Sequence, residues 1–289
     1  IQTQDYLTVV WANGALAPNY LSPAPWAAKS VGFGALRSGD GDAASLLVFK
    51  AGPPTAVVGH GQRDHLSFQI WARGAWLMGD PGYSKHGQQP APLYRFYETG
   101  FGHSAILLDN AGPLTKNNAS LVRVSGGTGY GVLCGEAAKS YPAGVATSVR
   151  RCLLMHPDGF VVATDRVQTP FPQTVEWLLQ PHVQGFSKAE AGGGTLYNSP
   201  ARLVVRARGA KVSPARQALA HEPTRTKTLV LSRGAAEGAV VALKNPGFEA
   251  STLTGWTPRS TTASAHTLSK VAHAGKQSAS ITFGTSAAG

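Results

Sequence analysis

The feature that most constrains this chain is its punctuation. Short runs rich in Val, Leu and Ile recur along it, and each is closed by Gly, Pro or Asp within a few residues. Clear examples are Ser45-Leu46-Leu47-Val48-Phe49-Lys50 before Gly52-Pro53-Pro54, and Val149 to Met155 joined to Gly159–Val167 through His156-Pro157-Asp158. Runs this short, with a period near two and frequent breakers, suit strands; the longer 3.6-residue stripes of amphipathic helices are scarce. The 34 Gly, 19 Pro and 14% charged residues fit the same turn-rich β architecture. The reading is all-β: a large antiparallel β-sandwich of stacked sheets.

Length and pattern divide the chain. A chain of 289 residues carries a prior of about two domains. Residues 1–30, with Trp11, Trp26 and several Pro, read as a tail crossing the surface of a neighbouring domain. Residues 31–243 carry the strands. The pair flanking Arg73-Gly74 (Ser67 to Trp71, Ala75 to Met78) reads as a hairpin, with Gly supplying positive φ. Arg202, Arg206 and Arg208 share one face of a strand, with Leu203, Val205 and Ala207 on the other. At Asn245-Pro246-Gly247-Phe248-Glu249, then Gly255-Trp256, the character changes, and residues 244–289 resemble the truncated start of a jelly-roll carbohydrate-binding module.

Charge narrows the partners. Of the formal +11, +10 lies after residue 100, where 19 Lys/Arg face 9 Asp/Glu (19 − 9 = 10). That field favours a polyanion, or it serves solubility alone. No compact Lys/Arg run or helix-turn-helix pattern points to nucleic acid, and no apolar run approaches the roughly 18 residues that span a bilayer. The Cys134 and Cys152 segments can be strand neighbours, either as a cross-strand disulfide in an exported protein or as two buried thiols.

Chemistry concentrates in one stretch. His60, Asp64, His65, Asp80, His86 and His103 fall within 44 residues, several at the ends of stiff elements. His and Asp gathered at strand ends suit a divalent metal. Each also has a plain structural reading: Asp80 before Pro81-Gly82 caps a turn, Asp64 pairs with Arg63 or Arg73, and His103 is a satisfied strand-end histidine. The loop from Asp80 to His103, with Tyr83, Tyr94 and Tyr97, reads as a lid on a binding surface or as a bare connection.

Four motifs in order sharpen this: Val31-Gly32-Phe33-Gly34-Ala35-Leu36-Arg37-Ser38, His60-Gly61-Gln62-Arg63-Asp64-His65-Leu66-Ser67-Phe68, Gly79-Asp80-Pro81-Gly82, and His103-Ser104-Ala105-Ile106-Leu107-Leu108-Asp109. Together with Arg150-Arg151-Cys152 and Asp165-Arg166, they resemble the β-sheet domain of the heparinase II/III-like polysaccharide lyases. The resemblance covers roughly residues 31 to 240. It implies a β-sandwich packed on an N-terminal (α/α) toroid that is absent from this chain, with acidic polysaccharide in the groove between them.

The family pattern is His-Gly-His-x-Asp-x-x-Ser-Phe, and it binds Zn2+ through its second His, the Asp of Asp-Pro-Gly and the later His. Carried over, Asp80 and His103 match as ligands and His60 lies near substrate, while the second His position is Gln62 here. An amide oxygen is a poor Zn2+ ligand, so with Asp80, His103 and Gln62 as the carried-over set the metal is lost, altered, or bound with help from a neighbour such as His65 or Asp64.

The implied reaction is β-elimination at a uronic acid, in a secreted or periplasmic protein. A base removes the C5 proton and an acid protonates the departing O4. For these roles the resemblance offers His60 and a Tyr, with Tyr97 preferred over Tyr83 and Tyr94. The chain alone is expected to be inactive, since half of the groove would be missing. Two other functions fit the same residues: a non-catalytic acidic-polysaccharide-binding domain, favoured by Gln62, and a glycoside hydrolase built on Asp64, Asp80 or Glu98.

Overall fold

The computed structural model describes residues 25–39, 44–55, 61–82, 96–127 and 130–208, and the backbone of strands at 211–217, 227–233, 241–242, 271–272 and 277–287. Nearly all of its regular secondary structure is strand, as the punctuation predicts.

Five strands form an antiparallel meander: β1 (Trp26–Ala28), β2 (Phe33–Arg37), β3 (Ser45–Lys50), β4 (Ser67–Ala72) and β5 (Ala75–Met78). The β4–β5 turn has positive φ at Arg73 (51°) and Gly74 (80°), the primed hairpin geometry that matches strand twist. The second sheet has eight strands in the order β12-β13-β14-β19-β10-β9-β8-β7. They are β7 (Ser120–Gly127), β8 (Tyr130–Glu136), β9 (Ser148–Met155), β10 (Val161–Gln168), β12 (Phe186–Glu190), β13 (Gly193–Asn198), β14 (Ala201–Arg208) and β19 (Gln277–Ala287). A third sheet orders β15 (Lys211–Gln217), β16 (Lys227–Arg233), β11 (Val175–Leu179) and β6 (Ile106–Leu108). The short pair β17 (Val241–Ala242) and β18 (Val271–Ala272) forms a fourth, two-stranded sheet.

The first sheet packs on the second, with β2 against β7 and β8 and β5 against β13 and β14. Their facing residues form one core: Leu36, Leu47, Phe49, Phe68, Ile70, Leu77, Leu133 and Leu153 are all buried. Alternation along β3 shows the cause. Ser45, Leu47 and Phe49 face inward, while Leu46, Val48 and Lys50 lie on the half-buried outer side. Strand β14 behaves likewise, with Leu203 and Val205 buried and Arg206 and Arg208 exposed.

Cys134 and Cys152 lie directly opposite each other on β8 and β9 and form a disulfide, with Cα atoms 4.1 Å apart. This decides between the two readings of the cysteines. Residues 277–287 pair with β10 on one side and β14 on the other. The Asn245–Glu249 and Gly255-Trp256 motifs lie outside the described residues, as does most of the 1–30 tail.

Candidate active site

Cross-strand register builds one wall of the site. Phe33, Lys50 and Ser67 are partners across β2, β3 and β4, so their side chains form a row on the outer face of the first sheet. Just before β4, Asp64-His65-Leu66-Ser67 makes a tight turn, closed by the Ser67 N–H donating to the Asp64 carbonyl at 3.0 Å. Leu66 takes φ of 64° there, a left-handed value unusual for Leu. Its side chain is nonetheless fully buried and its carbonyl is engaged by Arg151. The turn aims Asp64 at the row. The Lys50 ammonium donates to Asp64 Oδ1 and lies 3.4 Å from the Gln62 carbonyl oxygen, and Ser67 Oγ donates to Asp64 Oδ2 at 3.3 Å.

Asp80 arrives from β5 through Gly79. The Gly79 Cα packs on the His182 ring so closely that a Cβ would meet ring and backbone at about 3 Å, which explains a glycine there. The two oxygens of Asp80 divide their work. Oδ1 accepts the Gly82 N–H at 2.8 Å, the turn cap anticipated from Asp-Pro-Gly, and Oδ2 lies 3.1 Å from His103 Nδ1. Capping and site duty coexist in one carboxylate.

His103 follows a 3-10 turn (Gly100–Gly102) and is 1% exposed. Its Nε2 lies 3.0 Å from the Tyr97 carbonyl oxygen, which can only accept, so Nε2 carries a hydrogen. Nδ1 then faces Asp80 Oδ2 and, at 3.8 Å, Asp64 Oδ2. Burial alone would lower the imidazole's pKa, but the bond to Asp80 and the charges of Asp64 and Asp80 outweigh it and hold it above the ordinary value. Burial likewise works to raise Asp80, and the bond to and charge of His103, with the Gly82 N–H and Lys50, hold it below.

Asp64, Asp80 and His103 therefore form a group able to hold a metal ion, their ligand atoms all within 4.8 Å of one another. Donor geometry supports the fit. Atoms bound to one metal at about 2.0–2.2 Å stand roughly 3–4 Å apart, close to the 3.1 and 3.8 Å found around His103 Nδ1. A carbonyl holding the far nitrogen is also the usual orienter of a ligating histidine.

The other candidates fall differently. Gln62 is buried, and its amide nitrogen donates to the Gly82 carbonyl at 2.8 Å and the Tyr97 carbonyl at 2.9 Å. It thereby ties the Asp80 turn to the segment before His103. His65 turns away and is fully buried, its Nε2 on the Thr115 carbonyl at 3.0 Å, and burial lowers its pKa. Tyr97 is 4% exposed, its ring set edge-on to Phe96 with centroids 5.3 Å apart, and its carbonyl joins Gln62 and His103. His60, Tyr83, His86 and Tyr94 lie outside the described residues.

Sequence reasoning missed Lys50, which displaces Arg63 and Arg73 as the partner of Asp64. Strand alternation was the available signal, since Lys50 shares the outer face of β3 with Val48. These groups open into a cavity of about 490 Å³. Val31, Phe33 and Val48 give it an apolar side, and Lys50, Asp64, Asp80 and Lys116 a charged one. Lys116 also pairs with the buried Glu98 at 3.7 Å.

Fold and site together define a layered antiparallel β domain with a His/Asp cluster beside a cavity lined by two lysines. The chain belongs to the heparinase II/III-like, C-terminal family, whose sequence profile matches residues 21–269. No curated protein matches it in sequence. Among solved structures, heparan sulfate lyase HepC from Pedobacter heparinus is 17% identical with a TM-score of 0.65, covering 98% of this chain and 41% of that one. A heparinase III with methylated lysines is 15% identical with a TM-score of 0.64, covering 91% and 36%. A further heparinase III is 12% identical with a TM-score of 0.58, covering 89% and 36%. At these identities the likeness shows the fold, and the chain spans roughly two fifths of the length of these proteins.

Proposed function

We propose that this chain is the β-sandwich portion of a polysaccharide lyase that cleaves a uronic-acid-containing acidic polysaccharide by β-elimination. The observation that carries the reading is the convergence of Asp64, Asp80 and His103 beside Lys50, at a cavity of about 490 Å³, in a domain of this family. The Pedobacter enzyme's description as a heparan sulfate lyase favours a glycosaminoglycan over alginate.

β-Elimination needs the C5 proton made acidic, which requires positive charge or hydrogen-bond donors at the uronate carboxylate. Lys50 and Lys116 offer that charge from the cavity wall, and Phe33 and Val48 offer an apolar surface to a sugar face. His60 is assigned to proton transfer near O4 or C5, with Tyr97 or Tyr83 as its partner. The buried Tyr97 ring serves only if substrate draws the loop aside. Asp64, Asp80 and His103 would hold a Zn2+ ion, with Gln62 fixing the turn that carries Asp80; when bound, the ion supplies concentrated positive charge beside the substrate. The Cys134–Cys152 disulfide supports a secreted or periplasmic location. Among the described residues no helix is long and apolar enough to cross a membrane.

A second reading, a non-catalytic binder of acidic polysaccharide, is favoured by Gln62, whose amide hydrogens are spent on the Gly82 and Tyr97 carbonyls. The test is the ultraviolet absorbance of unsaturated uronate when the full-length protein meets heparan sulfate, heparin, hyaluronan and alginate in turn. Absorbance growing with at least one polymer is expected. Tight binding with no new chromophore would support the second reading, and saturated products would indicate hydrolysis.

A further inference from the structure

A cation is already built into this cluster. Lys50 ends β3 with its ammonium on Asp64 Oδ1, the two side chains 13% and 3% exposed. The other oxygen of the same carboxylate, Oδ2, faces His103 Nδ1. One buried carboxylate thus serves an ammonium on one side and the candidate metal position on the other. A dication close to an ammonium in a partly buried site meets strong repulsion, because little water intervenes to screen it. The ammonium is not trapped, however. Lysine's four-carbon stem is pliable, and Lys50 lines the cavity, so it has open space to move into.

We propose that Lys50 is a resident counter-cation that competes with a divalent metal for Asp64, so that metal loading lifts the ammonium off the carboxylate and into the cavity. The inference rests on the ligand set Asp64, Asp80 and His103 described above. Gln62 strengthens it. With no imidazole at that position, Asp64 is the donor that completes the set, and it is the donor Lys50 already holds. The chain therefore carries a choice between two cations at a single carboxylate.

Zn2+ binding to the purified chain, measured by isothermal titration and by equilibrium dialysis with metal analysis, tests this without any activity assay. Lys50→Met keeps the stem and removes the charge, and is expected to bind Zn2+ about tenfold more tightly or better than the wild type. Lys50→Gln serves the same purpose if the Met variant does not fold. Asp64→Asn is expected to lose Zn2+ binding by about a hundredfold. Unchanged or weaker Zn2+ affinity in both Lys50 variants would overturn the proposal. So would wild-type affinity in Asp64→Asn, or no Zn2+ binding in any form. None of these results bears on whether the full-length protein forms unsaturated uronate, so failure here is distinguishable from failure of the lyase reading.

Discussion

Two buried ion pairs in this domain are built from the same chemistry to opposite ends. Arg151 and Asp165 face each other across β9 and β10, with Nε and Nη2 each donating to a carboxylate oxygen at 2.8 Å. Nη1 donates to the Leu66 and Ser104 carbonyls at 2.7 Å, and Phe68 lies against the guanidinium at 5.1 Å from its ring centroid. Both charges are essentially unexposed. Lys50 and Asp64, by contrast, line an open cavity, and Asp64 is shared between an ammonium, a hydroxyl and an imidazole. The closed pair is structural. The open one faces a cavity, where the proposed exchange of Lys50 for a metal ion has room to occur.

The two are also physically connected. Leu66 lies two residues after Asp64, and Ser104 immediately follows His103, so Arg151 grips two of the three segments that deliver the cluster. Variants that break this contrast have graded effects.

The largest effect is expected from Arg151→Met. It leaves Asp165 charged, buried and unpaired, and should cost about 3–5 kcal/mol in denaturant unfolding. A loss below about 1 kcal/mol would mean that water reaches the pair. Removing the neighbouring disulfide with Cys134→Ser and Cys152→Ser should cost about 3 kcal/mol by the loop-closure argument, given a separation of 18 residues. Lys50→Met should cost less, about 1–2 kcal/mol, since Ser67 and His103 remain beside Asp64.

The smallest effect is a pH dependence. In metal-free protein His103 is held above its ordinary 6.5, so its contribution is complete below that value and fades as pH rises through the raised one. Asp80 is held below 3.8, so its contribution is present above that value and fades as pH falls through the lowered one. The pair is therefore strongest between those limits. Asp80→Asn should flatten the stability profile at both edges, as followed by thermal melts across pH.

Much of the fold was legible because alternation and breakers are local properties. The Arg73-Gly74 hairpin, β3, the β9–β10 pair and the Arg-bearing face of β14 all follow from them. The distribution of strands among four sheets, and the place of β19 between β10 and β14, depend on long-range pairing that no local pattern encodes. The site divides similarly. The Asp-Pro-Gly turn and the strand-end His103 marked themselves, and the structure brings them within 3.1 Å. Asp64 was among the candidates, but its pairing with Lys50, and the burial of Arg151 against the Leu66 carbonyl, were not legible. Arg151 reads as surface in a β-rich sequence until the register shows that it points inward, whereas Lys50 shows its outer face by alternation but not the acid it meets there. His65 shows the converse: adjacency to Asp64 suggested a ligand, yet neighbouring residues in an extended or turn segment face different ways.

The most direct test of the cluster's role is the initial rate of unsaturated-uronate formation by the full-length protein and by its Asp80→Ala and His103→Ala variants. Thermal melts run alongside will identify any variant that has simply unfolded. On the substrate the wild type cleaves fastest, both variants are expected to lose about a hundredfold or more in rate while still melting cooperatively. Wild-type rates in either folded variant would contradict the assignment of this cluster to the chemistry.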